Sequence, residues 1–161
     1  GEAVSGILSE TGLPPECLEL EITESVLLES SYAVTRNLNY LKKQGVRISI
    51  DDFGIGYNSF KYIQELDING IKIDRTFINN IKVNVNKTII DAIIKLGHDM
   101  NIEITAEGVE TEEQYNCLKK KRCDKIQGYY FSKPLLPEEA GTFIKAHTIK
   151  TRRYEKKSTE K

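Results

Sequence analysis

Two adjacent carboxylates, Asp51 and Asp52, stand at the end of an apolar, alternating run and directly before a turn bracketed by glycines. The run begins at Ile48, and the turn reads Phe-Gly-Ile-Gly-Tyr over residues 53–57. In α/β enzymes, a strand that carries acids to its carboxyl end and then breaks into a loop commonly builds a metal or acid/base site. We therefore place the centre of a candidate site at these two acids.

Polar residues also follow the other segments that we interpret as strands. Their apolar patterns predict strands over 17–23, 46–51, 70–74, 102–106 and 124–129. The polar residues at or just beyond their carboxyl ends are Glu21, Glu24, Asp51, Asp52, Lys72, Asp74, Glu107, Glu110 and Gln127. Carboxylates predominate in this set and a lysine accompanies them, so it is suited to a hard cation and an anionic substrate.

Four of these acids would repel one another strongly if they were buried side by side: Glu21, Asp51, Asp52 and Glu107. Such a cluster is tolerable where cations neutralise it. Carboxylate oxygens without cysteine or histidine ligands favour Mg²⁺ or Mn²⁺. A lysine beside such ions is typical of phosphate-ester hydrolysis by a metal-activated water. The alternative, scattered surface charge, is the interpretation that we prefer for acids far from the strand ends, such as Glu10.

Helical segments in nearly every gap between the strands must position these residues. Helices are predicted over 2–11, 25–44, 58–66, 86–100, 111–121 and 137–147. Regular alternation of strands and helices predicts an α/β fold with a parallel sheet. A doubly wound open sheet would gather its ligand only at a switch point. Polar residues at all five strand ends favour instead a partial TIM-like (β/α)8 barrel with about five β-α units.

Composition limits the class of protein. The 161 residues suffice for one domain, which we place at 1–149 and follow with a basic, frayed tail at 150–161. A net charge of −1 gives no general attraction to DNA, RNA or a membrane surface. The three cysteines lack metal or redox spacing, and no apolar run is long enough to span a membrane. We expect a cytoplasmic location, alone or as the cytoplasmic part of a larger, membrane-anchored protein.

Five segments together resemble the successive signatures of the EAL-type cyclic-di-GMP phosphodiesterases, in family order and at family-like spacings. These segments are LELEITES (Leu18–Ser25), ISIDDFGIGYNSF (Ile48–Phe60), IKIDRTFI (Ile71–Ile78), ITAEGVET (Ile104–Thr111) and QGYYFSKPL (Gln127–Leu135). The resemblance implies a TIM-like barrel that hydrolyses one phosphodiester bond of cyclic di-GMP to give linear pGpG. It also implies two Mg²⁺ or Mn²⁺ ions and a homodimer.

The resemblance assigns roles to individual residues by matching motif. Glu21, Asp51 and Asp52 are similar to the family's metal ligands, and Asp51 matches the one shared between ions. Glu107 is similar to a carboxylate that binds the second ion and positions the attacking water.

Five further residues match family positions outside this metal set. Lys72 resembles the lysine that contacts the water or the phosphate, and Gln127 the glutamine that completes this network. Glu24 resembles the glutamate that tethers the glycine loop. Asp74 and Glu110 are weaker candidates for substrate or loop contacts.

The sequence also departs from the family pattern. The namesake Glu-Ala-Leu motif and the metal-binding asparagine on the next strand are absent, and Glu2-Ala3-Val4 does not replace them. Ile55 and Asn58 stand where the family usually has threonine and serine. We expect the complete domain to be an enzyme, and this chain alone to be unable to close the barrel or hydrolyse its substrate. The alternatives are a non-catalytic module that binds cyclic di-GMP and a different metal-dependent hydrolase.

Overall fold

A computed structural model describes residues 1–23, 26, 32–55, 63 and 66–146. The chain divides into two compact units, Gly1–Tyr130 and Phe131–Lys161. Glu24, most of the helix predicted over 58–66 and the tail at 150–161 lie outside the described residues. The predicted division into a domain at 1–149 and a tail therefore stays a prediction.

Five strands form one parallel sheet in the first unit, in sequential order, as the sequence predicts. The strands are β1 (Glu19–Thr23), β2 (Arg47–Phe53), β3 (Gly70–Ile73), β4 (Glu103–Ala106) and β5 (Lys125–Ile126). The described helices of this unit are α1 (Glu2–Thr11), α2 (Tyr32–Lys43), α3 (Arg75–Asn79), α4 (Asn84–Met100) and α5 (Glu112–Lys120), with a 3-10 turn at Pro15–Cys17. Among the described helices, none has both the length and the apolar character to cross a bilayer.

The two faces of the sheet differ in chemistry because side chains alternate along each strand. On β2, Ile48 and Ile50 are buried in the main hydrophobic core, where Leu38 of α2 and Ile90 of α4 also lie. Between the isoleucines of β2 stands Ser49, also fully buried. The face that carries Ile48 and Ile50, here called the outer face, thus packs against the helices. The opposite, inner face can carry polar and charged residues.

A β-bulge brings both acids of β2 to the same place. The register passes from Ile50 opposite Ile71 to Phe53 opposite Ile73, so β2 has one residue more than β3 over this stretch. Asp52 is the residue with a left-handed backbone there, at φ 53°. Strict alternation would have sent neighbouring acids to opposite faces. The bulge instead returns Phe53 to the buried outer face of the sheet and leaves Asp52 beside Asp51.

Two elements differ from the sequence-based expectation. The fifth strand, predicted over 124–129, is only Lys125–Ile126 because its neighbour β4 ends at Ala106, the partner of Ile126. The short helix α3, which the sequence pattern did not predict, follows β3 directly. Asp74 starts it by accepting a hydrogen bond from the Thr76 N–H at 2.7 Å.

The second unit contains one described helix, α6, over residues 137–146. It agrees with the helix predicted to begin at Pro137. His147, its predicted end, lies outside the described residues.

Candidate active site

Lys72 of β3 lies at the centre of the carboxyl end of the sheet. Its side chain is 9% exposed, and its Nζ lies 2.7 Å from Glu21 Oε2 and 2.6 Å from Glu107 Oε1. Asp51 Oδ1 is 3.3 Å away. Three neighbouring segments, β1, β2 and the exit of β4, therefore place acids around one buried ammonium group. The structure brings together four of the residues that the sequence predicts for the site.

Negative charge exceeds positive charge in this group. Burial lowers the pKa of Lys72, but hydrogen bonds from its ammonium to Glu107 and Glu21 outweigh that effect, so its pKa lies above the ordinary 10.5. Burial raises the pKa of Glu107 above 4.5, and the nearby charges of Asp51 and Glu21 add to the rise against the opposing contacts with Lys72. One lysine thus does not neutralise the acids that surround it.

The residues present fit a hard divalent cation. Oxygens of Asp51, Asp52 and Glu107 all lie within 4.8 Å of one another. The buried Asp51 Oδ1 accepts no hydrogen bond from a described residue, so it has coordinating capacity to spare. Burial and then the charges of Asp51 and Asp74 raise the pKa of Asp52, and a cation would remove much of that repulsion. An all-oxygen donor set with excess negative charge suits Mg²⁺, Mn²⁺ or Ca²⁺.

A cleft of about 600 Å³ opens beside this cluster. Asp52 and Glu107 line it on the side of the candidate metal site, and Glu110 and Gln127 line it further along. Both of the latter residues are exposed. Gln127 donates its backbone N–H to Ala106 O at 2.9 Å, which fixes it beside the exit of β4. Their predicted roles, like those of the other site residues, stay predictions.

Asp74 is placed differently from the other acids. It is 6% exposed, and its Oδ1 accepts hydrogen bonds from both the backbone and the hydroxyl of Thr76. Its carboxylate also contacts Asp52. Its visible task is to begin α3 and support Asp52, and contact with a substrate stays a prediction. Glu24, predicted to tether the glycine loop, lies outside the described residues.

Gln114 is a buried residue of the site that our interpretation of the sequence missed as a structural support. Its Oε1 accepts the N–H groups of Glu110 at 2.8 Å and Thr111 at 3.0 Å. Its Nε2 donates to Ile78 O of α3 at 3.3 Å. The sequence Thr-Glu-Glu-Gln over residues 111–114 is typical of a capping box at a helix start, and the structure has that capping box. One amide therefore ties the segment that follows Glu107 to the helix that follows Lys72.

A second charged cluster lies on the same sheet towards the amino ends of the strands. Arg47 Nη2 lies 2.7 Å from Glu103 Oε2, and Arg47 Nε lies 3.7 Å from Glu19 Oε2. Lys125 Nζ lies 2.9 Å from the same Glu103 oxygen. Gly70 of β3 lies between, and a Cβ there would sit 3.2 Å from Ser49 Cβ. Its missing side chain leaves room for Arg47 to reach across β3.

The larger cavity of the first unit, about 840 Å³, also opens at this amino end. Its polar side chains contact one another: Lys42 pairs with Asp67, Arg47 pairs with Glu103, and His98 Nε2 lies 3.2 Å from Asp124 Oδ1. Pairing leaves them little capacity for a ligand. We therefore locate the functional site in the smaller cleft, where acids outnumber bases.

Fold and site together define a parallel β/α domain of the TIM-barrel type with an acidic site at the carboxyl ends of its strands. The EAL domain family matches residues 2–134. The chain belongs to this family.

Named relatives agree with this assignment. The chain is 37% identical over 147 residues to the cyclic di-GMP phosphodiesterase NbdA of Pseudomonas aeruginosa, which covers 91% of the chain and 19% of NbdA. It superposes with a TM-score of 0.81 and 39% identity on the PaMucR phosphodiesterase in complex with c-di-GMP. That match covers 86% of this chain and 57% of the other. The predicted partial TIM-like barrel is confirmed.

A further solved relative contains metal. The manganese/c-di-GMP complex of Klebsiella pneumoniae BlrP1 superposes with a TM-score of 0.77 and 28% identity, over 83% of this chain and 35% of that one. The chain thus spans about a third to three fifths of these solved chains and about a fifth of NbdA.

Proposed function

We propose that this chain carries the greater part of the active site of a cyclic-di-GMP phosphodiesterase that depends on two divalent ions, Mg²⁺ or Mn²⁺. The observation that supports it most is the arrangement around Lys72, whose ammonium lies within 3.3 Å of three carboxylates. A buried lysine among unneutralised acids is suited to a reaction that brings cations and an anionic phosphodiester together. NbdA and PaMucR, both named phosphodiesterases, support the choice of substrate.

Bound divalent ions would lower the pKa of a water molecule and neutralise negative charge on the phosphate. Asp51, Asp52 and Glu107 would hold such ions, because their oxygens already lie within 4.8 Å of one another. Glu21 would also hold an ion; its side chain is 48% exposed and its carboxylate lies 2.7 Å from Lys72 Nζ.

Lys72 would donate hydrogen bonds from Nζ to a non-bridging phosphate oxygen. Its raised pKa keeps this group charged throughout the physiological pH range. Glu107, 2.6 Å from the same Nζ, would accept a hydrogen bond from the attacking water and orient it towards phosphorus. One P–O bond to a ribose 3′ oxygen breaks as a P–O bond to water forms, the 3′ oxygen takes a proton, and linear pGpG results.

We further propose that residues outside this chain complete the site and that the chain alone is inactive. The Glu-Ala-Leu motif and the asparagine that the family resemblance requires do not occur in residues 1–161. The described residues contribute five parallel strands, where a closed barrel of this type has eight. The homodimer, the cytoplasmic location and the absence of nucleic-acid partners stay predictions.

A non-catalytic module that binds cyclic di-GMP is the second candidate. In its favour, Lys72 already contacts acids that would otherwise bind ions, and among the described residues three acids place oxygens within 4.8 Å of one another. Such a module would bind the dinucleotide without releasing pGpG.

The test uses the full-length gene product that contains this chain. We expect it to convert cyclic di-GMP to pGpG with Mn²⁺ or Mg²⁺, measured by chromatography of the products. We also expect Mn²⁺ to raise its Tm, because an ion that binds only the folded state stabilises it. Asp51→Asn should abolish both responses. Glu103→Gln, which removes a carboxylate of the amino-end cluster, serves as the matched control and should keep both.

The outcomes separate the candidates. A folded wild-type protein whose Tm rises with Mn²⁺ but which releases no pGpG would contradict the proposed enzyme. If that protein still binds cyclic di-GMP in a calorimeter, the binding module is correct. Hydrolysis by residues 1–161 alone would contradict the proposal that residues outside the chain are needed.

A further inference from the structure

Arg75 is a cation in a cleft that otherwise carries acids. Among the described residues that line the cleft, it is the single basic side chain, and Asp52, Asp74, Glu107 and Glu110 are the acids. Its position differs from that of Lys72, which lies in the acid cluster beneath. Because Arg75 and Lys72 lie in different places, we expect the ligand of the cleft to have more than one region that the protein recognises.

Arg75 has no charged or hydrogen-bonding partner within the part of the chain that the structure describes. Its side chain is exposed. By contrast, each basic residue of the two charged clusters has an acid partner within 4 Å: Arg47, Lys72 and Lys125. An arginine that pairs with none of the four described acids of the cleft is available to a ligand.

The backbone nevertheless holds Arg75 firmly in place. It is the first residue of α3, directly after the capping residue Asp74. On its other side lies Gly108, where φ is 67° and an added Cβ would sit 2.6 Å from Arg75 Cβ. The chain after Glu107 therefore passes in close contact with the Cβ of Arg75, which places this arginine beside the exit of β4.

An aromatic ring lines the same cleft. Tyr129 follows β5 and is 58% exposed. A flat ring together with an arginine fork suits a nucleobase, since bases stack on aromatic rings and arginine donates two hydrogen bonds to the O6 and N7 acceptors of guanine. A phosphate would accept hydrogen bonds from the guanidinium but would not stack on the aromatic ring.

We infer that Arg75 determines base specificity by donating to the O6 and N7 edge of one guanine, with that base lying against Tyr129. This inference rests on the proposed function, because it places the reacting phosphate at Lys72 and the guanine further along the cleft. It identifies a residue that recognises the substrate and takes no part in breaking the phosphodiester bond.

The experiment measures Kd for cyclic di-GMP and cyclic di-AMP by calorimetry on the full-length gene product. Ca²⁺ serves as the ion, since a calcium/c-di-GMP complex of BlrP1 exists. Adenine keeps N7 but replaces the O6 acceptor with a donor. We expect Arg75→Ala to weaken binding of cyclic di-GMP by roughly 10- to 100-fold, the range for a bidentate arginine–guanine contact. Binding of cyclic di-AMP should change little, so discrimination falls.

Two variants sharpen the test. Arg75→Lys keeps the charge and loses the planar fork, so it should restore little of the discrimination. Arg36→Ala, which removes an exposed arginine of α2 away from the cleft, is the matched control and should bind as wild type does.

Three results would overturn the inference, and they differ in what else they affect. Equal weakening for both dinucleotides would assign Arg75 to a phosphate. Unchanged binding by Arg75→Ala would remove it from the site altogether. Both leave the proposed function intact. Failure of the wild-type protein to bind cyclic di-GMP would overturn the proposed function and this inference together.

Discussion

The same sheet carries two charged clusters that differ in their balance of charge. The amino-end cluster pairs two bases with two acids: Arg47 and Lys125 with Glu19 and Glu103. The carboxyl-end cluster sets one base among four acids: Lys72 among Glu21, Asp51, Asp52 and Glu107. In the first cluster, the positive and negative charges balance. In the second, negative charge is in excess, and this difference is why we place the candidate site there.

Burial makes the imbalance matter. Lys72 is 9% exposed, whereas Arg47 is 35% and Lys125 is 52% exposed. Water screens exposed charges and makes their pairing energetically weak, but a buried charge must be neutralised nearby. The amino-end cluster therefore serves mainly to hold strands together. The carboxyl-end cluster holds repulsion between its acids that a bound metal ion would relieve.

The largest effect is expected at Lys72, the only base of the unbalanced cluster. Lys72→Met should lower kcat for cyclic di-GMP in the full-length gene product by about 10²–10³-fold, the usual loss when a charge-stabilising donor is removed. It should also lower the Tm in EDTA, because three contacting acids lose their partner. Thermal unfolding with EDTA and with Mn²⁺ measures the second effect.

Lys125→Met is the matched control from the balanced cluster. It should leave kcat within about twofold, since the exposed pair that it removes is worth little. Comparable losses of activity in the two variants would show that the clusters do not differ in function.

An intermediate effect is expected at Arg47. Arg47→Met leaves Glu103 with Lys125 and takes from Glu19 the base that it contacts among the described residues, so the free energy of unfolding should fall by up to about 1 kcal/mol. Urea unfolding measures it. The Tm increase caused by Mn²⁺ should stay as in the wild type. Loss of that metal response would mean that the amino-end cluster also supports metal binding.

The smallest effect is a pH dependence of stability. The pKa values of Glu107 and Asp52 in the folded chain lie above 4.5 and 3.8, so the folded state binds more protons than the unfolded state just above these values. Stability without metal should therefore fall as pH rises from about 4 through the raised pKa values. Glu107→Gln should flatten this slope in thermal unfolding with EDTA. Mn²⁺ should flatten it in the wild type, and an unchanged slope in both cases would contradict the stored repulsion.

Much of the fold follows directly from local sequence patterns. Alternating residues such as Ile48 and Ile50 mark β2, and the apolar stripe with Ile90 and Ile94 marks α4. Residue types that cap helices stand at the helix ends: Thr111 begins α5, and Gly12 follows α1. These patterns depend on neighbours a few residues away, so they can be interpreted without the tertiary structure.

The short elements could not be predicted in the same way. Helix α3 is five residues long, too short for an apolar period to appear, and its start depends on the Asp74 cap. The end of β5 depends on where β4 stops, which is a property of a different segment.

The sequence by itself determined the chemistry of this protein: which acids stand at the strand ends, that a lysine stands among them, and that hard cations suit them. Only the tertiary structure decided their arrangement. The bulge at Asp52 puts both acids of β2 together, and Lys72 meets acids from three segments. It also placed Arg75 in the cleft without a partner among the described residues. Residue types and spacings are local, but contacts between strands and the burial of charge arise only when distant segments pack.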